Sequence, residues 1–585
     1  MARHSSSSSA ITSSERRVDR RAWVSSVLAL AGASACQALG VVSPTKRAPA
    51  RVTFTSGPWT GVRNTLDPFD DQDVLITGQN GWIPDPNGAS GFYARTGFQL
   101  ANGGTPVYSV GNFAGQCVHS HAAADGTIYN FVVFGGRLFR ANSTFTTWTD
   151  VTPGGVTIDG GLFTVVKMVT QANNLVVNDG VNKPWIATNL GSTPITGTPI
   201  QYNAASDPWK ALDVTVWQGS IVFGNLTVGG VARPYDIAWS EPGLPATGYE
   251  QTGSSNFMPV QQTGSDPLTA VVGTNVALFF FRRNSIGRIY GDIGSLTSSN
   301  TTDSAAYNIG TRAAGSIRLF GDTLFFVDAV GRPWSLGLTA ATPSPIWEQM
   351  RADVESFDGR TGNEAVMGTL IRSAIEPTRN LYLAAVFPDN VPNRTPPTLA
   401  YGFDGPTSRH IGYWAIGGAI AIEAMGTLID ATGRAVLTVL GSLSIPSTTR
   451  VPSGYVWMLR AQDDATPYAE SGSGGANVNC SIITGRMGFG ADTQFVADTA
   501  TVIARNAGST VIAGWQSTGS NGSVNVAPVG DAGVGDQMSR YVFGLAAQGK
   551  GVQITAETLS PSGDNASFQR VTVTGRLLRA AVGDP

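Results

Sequence analysis

The feature that most constrains the fold is a recurrence of strand-length apolar runs separated by glycine or asparagine turns. Such units recur about every 40–50 residues, a length that suits a four-stranded propeller blade. The clearest are TIYNFVVFGGRLFRA from Thr127, NNLVVNDGVNKPWIAT from Asn173, GSIVFGNL from Gly219, VALFFFRRNSIGRIYG from Val276, DTLFFVDAVGRPWSLG from Asp322 and RNLYLAAVF from Arg379. The pattern predicts an all-β protein with a β-propeller of about six or seven blades.

The composition agrees with an all-β chain and argues against tight binding to nucleic acid. Glycine accounts for 71 of the 585 residues. Charged residues make up 14%, against roughly 25% in an average protein, which fits a surface that other subunits cover. The net charge of −3 provides no basic balance for tight binding to nucleic-acid phosphates.

The residue pattern of the sequence changes after Leu440. We therefore predict a propeller over residues 52–440 and a C-terminal β-sandwich-like domain over residues 441–585. In the second part, VWMLRAQ from Val456 is typical of a strand, and TATVIARNAGSTVIAGW from Thr499 is typical of a hairpin. The last predicted strand carries apolar side chains at Phe568, Val571, Val573 and Leu577. The Gly/Ser stretch at 470–475 has the composition of a mobile loop.

Residues 1–51 form an N-terminal arm or a leader. A basic patch ends at Arg21, and the apolar stretch from Val24 to Ala35 follows it. One interpretation is an export signal that is cleaved near Gln37. The other is an arm with an amphiphilic helix that docks on a neighbouring subunit. The apolar stretch is shorter than the roughly 20 residues of a membrane span, so no span is predicted.

Few residues suggest a metal or cofactor site. The three cysteines, Cys36, Cys117 and Cys480, are too widely spaced for a disulfide framework or a zinc ribbon. In a strand, Cys117, His119 and His121 would point to one face, but the outer two would lie about 13 Å apart. We therefore expect these three residues to be structural, and we predict no metal ion and no cofactor.

The remaining candidates also have a structural interpretation that competes with a functional one. The acidic cluster Asp67, Asp70, Asp71 and Asp73 lacks the glycine and final glutamate of a calcium loop. Arg282 and Arg283 either end a strand and pair with acids or contact a neighbouring subunit or DNA phosphates. The tryptophans expected to pack between blades are Trp239, Trp334 and Trp414. No nucleophile elbow or phosphate loop is present, so we predict that the protein is not an enzyme.

Three segments in mid-chain resemble the tail nozzle family of short-tailed, podovirus-type bacteriophages, also called tail tubular protein B or stabilisation protein. They are YDIAWSEPGLPATGYEQ from Tyr235, DPLTAVVGTNVALFFFRRNSIGRIYGD from Asp266 and GDTLFFVDAVGRPWSL from Gly321. The opening from Phe54 and the closing strands from Arg540 are similar to the same family. Together the resemblance covers roughly residues 54–580.

The resemblance implies a structural virion protein that is assembled in the host cytoplasm and located in the phage tail. It implies a ring of identical subunits, a hexamer, below the portal and the tail adaptor protein, with fibres or a needle as further partners. Such a ring would retain the genome and then make transient contact with DNA as it passes. The alternative is an exported β-propeller that binds or cleaves surface polysaccharide, which the N-terminal residues favour.

Overall fold

The structure is a computed structural model of the full chain. The residues that it describes are 51–56, 75–79, 82–84, 92–109, 114–161, 164–203, 208–251, 255–260, 266–296, 301–350, 371–386, 399–416, 420–442, 454–461, 464, 469, 481–484, 487–488, 495–505, 511–517, 520–531, 538–549, 551–558 and 567–577. The arm or leader, the acidic cluster at 67–73, Cys480 and the Gly/Ser stretch at 470–475 lie outside these residues.

Five short strands open the described chain, and three small sheets of four or five strands follow them. The opening strands are β1 (Arg51–Ser56), β2 (Leu75–Gln79), β3 (Trp82–Pro84), β4 (Phe92–Ala94) and β5 (Phe98–Leu100). Blade 1 contains β6 (Gly115–Ala122), β7 (Ile128–Phe134), β8 (Arg137–Ala141) and β9 (Trp148–Asp150). Blade 2 contains β10 (Lys167–Gln171), β11 (Asn174–Asn178), β12 (Trp185–Thr188) and β13 (Thr196–Pro199). Blade 3 contains β14 (Trp209–Trp217), β15 (Ser220–Val228), β16 (Val231–Glu241), β17 (Leu244–Gly248) and β18 (Phe257–Pro259).

Four further sheets continue the series, each antiparallel and each built from consecutive strands except the last. Blade 4 contains β19 (Leu268–Gly273), β20 (Leu278–Arg282), β21 (Ser285–Ile289) and β22 (Thr301–Tyr307). Blade 5 contains β23 (Arg318–Phe320), β24 (Thr323–Val327) and β25 (Pro333–Gly337). Blade 6 contains β26 (Arg372–Glu376), β27 (Leu381–Val386), β28 (Leu399–Asp404) and β29 (His410–Ala415). Blade 7 contains β30 (Ala421–Ile429), β31 (Ala435–Ser442), β32 (Tyr455–Leu459) and the early strand β5.

An early strand therefore completes the last blade. β5 pairs antiparallel with β32, with Leu100 opposite Trp457 and Phe98 opposite Leu459. At the other edge of blade 7, β30 lies beside β6 of blade 1, where the Glu423 carboxylate accepts a hydrogen bond from the Gly115 N–H at 2.6 Å. Blade 7 thus joins the two ends of the series, and the seven blades form a closed propeller.

The continuous apolar runs of the sequence correspond to the second strands of the blades, because both faces of these strands are buried. On β7, Phe131 and Val133 pack in the cluster shared with blade 2, whereas Val132 and Phe134 pack in the cluster shared with blade 7. On β20, Phe280 faces blade 3 and its neighbours face blade 5. Side chains alternate between the faces of a strand, so a strand buried on both faces reads as a continuous apolar run.

Two larger sheets form a β-sandwich from the strands that follow residue 480 and the opening strands. The last strands are β33 (Ser481–Thr484), β34 (Met487–Gly488), β35 (Phe495–Arg505), β36 (Val511–Ser517), β37 (Asn521–Val526), β38 (Pro528–Asp531), β39 (Met538–Gly549), β40 (Gly551–Thr558) and β41 (Ser567–Leu577). One sheet has the order β3-β4-β41-β35-β39-β38, with β1 also on β41. The other has the order β2-β33-β40-β36-β37, with β34 also on β40. Side chains of both sheets share one core, which continues into blades 6 and 7.

The all-β, propeller and sandwich predictions are confirmed, but the predicted boundaries at 52 and 440 need correction. β1, β2 and β4, predicted to open the propeller, pair instead with late sandwich strands, and β3 joins the same sheet through β4. β32, predicted to belong to the C-terminal domain, is the third strand of blade 7. Apolar alternation does not reveal which distant strand will accept the hydrogen bonds of a given strand, so chain order misplaced both segments.

The predicted hairpin after Thr499 is also wrong. β35 and β36 belong to different sheets, so the chain crosses between the layers of the sandwich. In the last strand, Phe568 and Val571 are both fully buried although three positions separate them. A register shift in the pairing of β35 with β41 occurs between Phe568 and Arg570, and such a bulge returns both side chains to one face.

The helices of the described residues are short 3-10 turns. They span Asn102–Gly104, Ile293–Ser295, Ala314–Ser316 and Ile346–Met350. Within the described ranges, no helix has the length and apolar character needed to cross a membrane.

We predict that Phe98→Ala destabilises the protein by about 3–5 kcal/mol, the range for truncating a buried phenylalanine. Phe98 is completely buried, and it lies on the strand that closes the propeller. The matched control is Val231→Ala, because Val231 is 63% exposed and such a change costs about 0.5 kcal/mol or less. The measurement is urea unfolding followed by circular dichroism, and equal midpoints for the two variants would contradict the closure.

Candidate functional site: the axial cavity

The first strands of the blades surround a cavity of about 450 Å³ on the propeller axis. Most of its wall is apolar, and its polar side chains come from different blades. Blade 1 contributes Gln116, Cys117 and His119; the other polar or charged contributors include Lys167 from blade 2, Asp213 from blade 3, Arg318 from blade 5, Arg372 from blade 6 and Thr427 from blade 7. A cavity of this size, with mostly apolar walls and a few convergent polar groups, is typical of a small-molecule site.

The first strand of each blade is a sheet edge, and polar side chains from a neighbouring blade satisfy part of its backbone. The Thr427 hydroxyl of blade 7 donates to the Ile375 carbonyl of blade 6 at 2.9 Å. The Gly273 N–H of blade 4 donates to the Thr215 hydroxyl of blade 3 at 3.0 Å. Because an unpaired buried backbone group is costly, these bonds fix the spacing of the strands round the cavity.

An ion pair between a partly exposed lysine and a buried aspartate ties three blades together. The Lys167 ammonium of blade 2 lies 2.9 and 3.0 Å from the two carboxylate oxygens of Asp213 in blade 3. The same carboxylate accepts from the Val271 N–H of blade 4 at 2.9 Å. The Asp213 side chain is 5% exposed, and a carboxylate this deeply buried requires such partners.

Two arginines line the opposite side of the blade series. The Arg318 guanidinium donates to the Ile317 carbonyl at 2.7 Å and to the Ser373 carbonyl of blade 6 at 2.6 Å. Burial lowers the pKa of Arg318. Burial, with the positive charge of Arg318, lowers the pKa of Arg372 to about 10. Both groups stay protonated at neutral pH, so the cavity holds two cations that repel each other.

Cys117, His119 and His121 share one face of β6, as the sequence predicts, and that face meets blade 2. His119 Nε2 and His121 Nδ1 lie 3.0 and 3.1 Å from the same Thr170 hydroxyl. Burial raises the pKa of the Cys117 thiol to about 11. Burial, with a smaller contribution from His121, lowers the pKa of His119 to about 4. At neutral pH this cluster is an uncharged packing contact rather than a nucleophile and base.

Among the described residues, no three His, Cys, Asp or Glu side chains come close enough to hold a metal ion. Arg282 and Arg283, which the sequence offered as a possible DNA contact, lie at the end of β20, and the first of them is buried. Arg282 is 1% exposed, and its guanidinium lies 5.0 Å from the Phe280 ring centre. The backbone N–H of Arg283 donates to Asp266 at 3.1 Å.

The three tryptophans pack as expected. Trp239 belongs to the cluster between blades 3 and 4, and Trp334 packs against the cluster between blades 4 and 5. Trp414 is fully buried in the core that blades 6 and 7 share with the sandwich.

Sequence reasoning missed the charged lining of the cavity. Lys167, Arg318 and Arg372 each begin the first strand of a blade, and Asp213 lies within one. In a chain with 14% charged residues, an isolated charge inside a strand-length apolar segment is a usable signal. The sequence does not show how the blades are arranged around the axis, and it is this arrangement that brings the separate strands together.

The buried histidines make stability depend on pH, with a defined sign. The pKa values of His119 and His410 are lowered to about 4 in the folded protein, mainly by burial, from an ordinary value of 6.5. Between these values the unfolded chain binds more protons, so the free energy of unfolding falls as pH decreases from about 6.5 towards 4. Each histidine contributes up to about 1.4 kcal/mol per pH unit.

We therefore predict a lower urea midpoint at pH 5.5 than at pH 7. His119→Gln should reduce this difference, because glutamine has no proton to gain. A His119→Gln variant whose midpoint falls as steeply as that of the unchanged protein would contradict the assignment.

No family model matches the chain, and no curated protein matches it. Among solved structures, the Pan2 WD40 domain of Neurospora crassa is similar at 9% identity and a TM-score of 0.35, covering 63% of this chain and 95% of that one. BamB from Moraxella catarrhalis is similar at 6% identity and a TM-score of 0.32, covering 66% of this chain and 99% of that one. At these TM-scores neither likeness supports an inference about function, and the propeller assignment rests on the strand pairing.

Proposed function

We propose that this protein is a structural component of a bacteriophage tail, a nozzle subunit that forms a ring below the portal and adaptor. The ring retains the genome and conducts DNA during ejection. The observation that carries the proposal is the position of the three segments that resemble the nozzle family. They occupy β16–β17 of blade 3, β19–β21 of blade 4 and β24–β25 of blade 5. The resemblance therefore follows successive strands through three consecutive blades.

The axial cavity of one propeller is too small to serve as the path for duplex DNA. A volume of 450 Å³ corresponds to a cube with an edge of about 8 Å, whereas the major groove of B-DNA alone is about 12 Å wide. The Lys167–Asp213 pair also occupies the cavity wall. A duplex does not fit through one propeller, so a conduit requires a lumen enclosed by several copies of the chain.

The sandwich offers surfaces on which such copies could associate. β37 and β38 are the end strands of the two sheets and follow each other in the chain. Val524 on β37 is 40% exposed, and Val529 on β38 is 62% exposed. An exposed sheet edge with apolar side chains favours pairing with another chain, and Asp531 is the one charged residue of these two strands. A head-to-tail contact of this kind closes into a ring when its rotation closes.

The alternative of a polysaccharide-cleaving propeller has less support from the cavity. Glycoside hydrolysis ordinarily requires two carboxyl groups about 5–10 Å apart. Among the described residues that line the cavity, Asp213 is the single carboxylate, and Lys167 already holds it. Binding of a glycan elsewhere, by a protein exported after cleavage near Gln37, is the competing outcome.

The test is the assembly state of the full-length protein, measured by light scattering and negative-stain microscopy with class averages along the symmetry axis. The experiment is done with and without the tail adaptor protein, because a ring can need its neighbour as a template. We expect closed rings with a central hole wide enough for duplex DNA. A monomer in both conditions that begins near Gln37 and binds a glycan would contradict the proposal.

We further expect Val529→Glu to convert rings into monomers without loss of folding, because it places a charge on an exposed apolar edge. The control is Val231→Glu, which adds the same charge at the exposed β15–β16 turn of blade 3. If the Val529→Glu variant still forms rings, this edge is not part of the interface between subunits.

A further inference from the structure

The axial cavity contains more positive than negative charge among the described residues. Lys167, Arg318 and Arg372 contribute three cations to its lining. Asp213 lies in the lining, and Glu423 is a second buried carboxylate, whose charge acts on Arg372. Three cations against two carboxylates leave one positive charge uncompensated.

Among the described residues, Arg318 is the cation of the lining that forms no ion pair with a carboxylate, and the charge of Asp213 acts on it only through space. Lys167 binds Asp213, and the charge of Glu423 acts on Arg372. The guanidinium of Arg318 instead donates to two backbone carbonyls, those of Ile317 and Ser373. A guanidinium has five N–H donors, so these two bonds do not use all the donors of Arg318, whose side chain lines the cavity.

The two carbonyl bonds also hold the guanidinium in place. Ile317 precedes Arg318 in blade 5, and Ser373 belongs to blade 6, so the group is fixed between two blades before any ligand arrives. A planar donor group held in this way matches the geometry of a carboxylate or phosphate. Pre-organisation of this kind reduces the entropy lost on binding.

We propose that the axial cavity binds a small oxyanion, a molecule with a phosphate or carboxylate group, with Arg318 as its main contact. Arg372 and Lys167 add a favourable field at the same site. The apolar part of the wall, formed by Val118, Met168 and Met425 among others, suits a ligand with a small apolar body. The site belongs to one chain and does not depend on ring formation.

The electrostatics of the cavity agree with this site. The positive charge of Arg318 helps to lower the pKa of Arg372, so the two guanidinium groups destabilise each other. An anion between them would neutralise that repulsion. The cavity volume of 450 Å³ lies within the usual range of small-ligand pockets and is too small for a nucleic-acid duplex.

The test is isothermal titration calorimetry of the full-length protein with inorganic phosphate and, separately, with citrate. Sodium chloride keeps the ionic strength constant in every titration, because general screening also changes with added salt. We expect saturable binding with one site per chain for at least one probe, and the probe that binds identifies phosphate or carboxylate as the preferred group. Saturable binding of neither probe would overturn the proposal.

Arg318→Gln is expected to raise the Kd at least tenfold, since it removes the charge and the fork of donors. The matched control is Arg137→Gln, which removes a guanidinium that is 54% exposed and pairs with Asp150 on the surface. The Kd of this control variant should stay within twofold of the Kd of the unchanged protein. An unchanged Kd in Arg318→Gln would show that the anion binds elsewhere and would overturn the proposal.

A second readout uses the unchanged protein and does not depend on whether Arg318→Gln folds. Cys117 lines the same cavity, so a bound anion should slow its alkylation by iodoacetamide at least threefold. Peptide mapping by mass spectrometry separates Cys117 from the other two cysteines. The half-saturation of this protection should equal the Kd, and an alkylation rate that the anion does not alter would contradict the assigned position.

Discussion

The fold depends on the burial of both faces of each blade's second strand. Phe131 and Val133 of β7 face one neighbouring blade, and Val132 and Phe134 face the other. Each blade therefore stabilises two interfaces, and the blade at either end of an open series would leave one apolar face in water. Closure removes that face. The strand β5, which precedes all the others in the propeller, completes blade 7 and joins the ends of the series.

Closure brings the first strands together as seven sheet edges round one axis. Their backbone groups and side chains must then be satisfied within a narrow space, which explains the bond from Gly115 to Glu423 and the ion pair of Lys167 with Asp213. Arg318 is the exception, because it bonds to backbone carbonyls and forms no ion pair with a carboxylate of the described residues. The proposed anion site is thus a consequence of how the inner edges are held. The proposed nozzle function depends on different surfaces, the outer edges of the sandwich.

The sequence predicted the structure best for strands that are buried on both faces. Runs such as LFFFR in β20 predicted blades correctly, because a strand between two interfaces has no polar face. It was misleading for β1, β2, β4 and β32, each of which has a partner hundreds of residues away. The face shared by Cys117, His119 and His121 followed from alternation alone. The cavity charges did not, since no local pattern shows that Lys167, Arg318 and Arg372 converge on one axis.

Hydrogen exchange of the backbone amides of β5 tests the closed propeller most directly. These amides lie at a sheet edge that is protected only if the strand stays paired with β32 in solution. Closure predicts that the protected amides of Phe98–Leu100 exchange as slowly as those of β31, which lies inside the same blade. Exchange of the whole of β5 as fast as the adjoining turn at Asn102–Gly104 would contradict closure, because the ends of the blade series would then be separate.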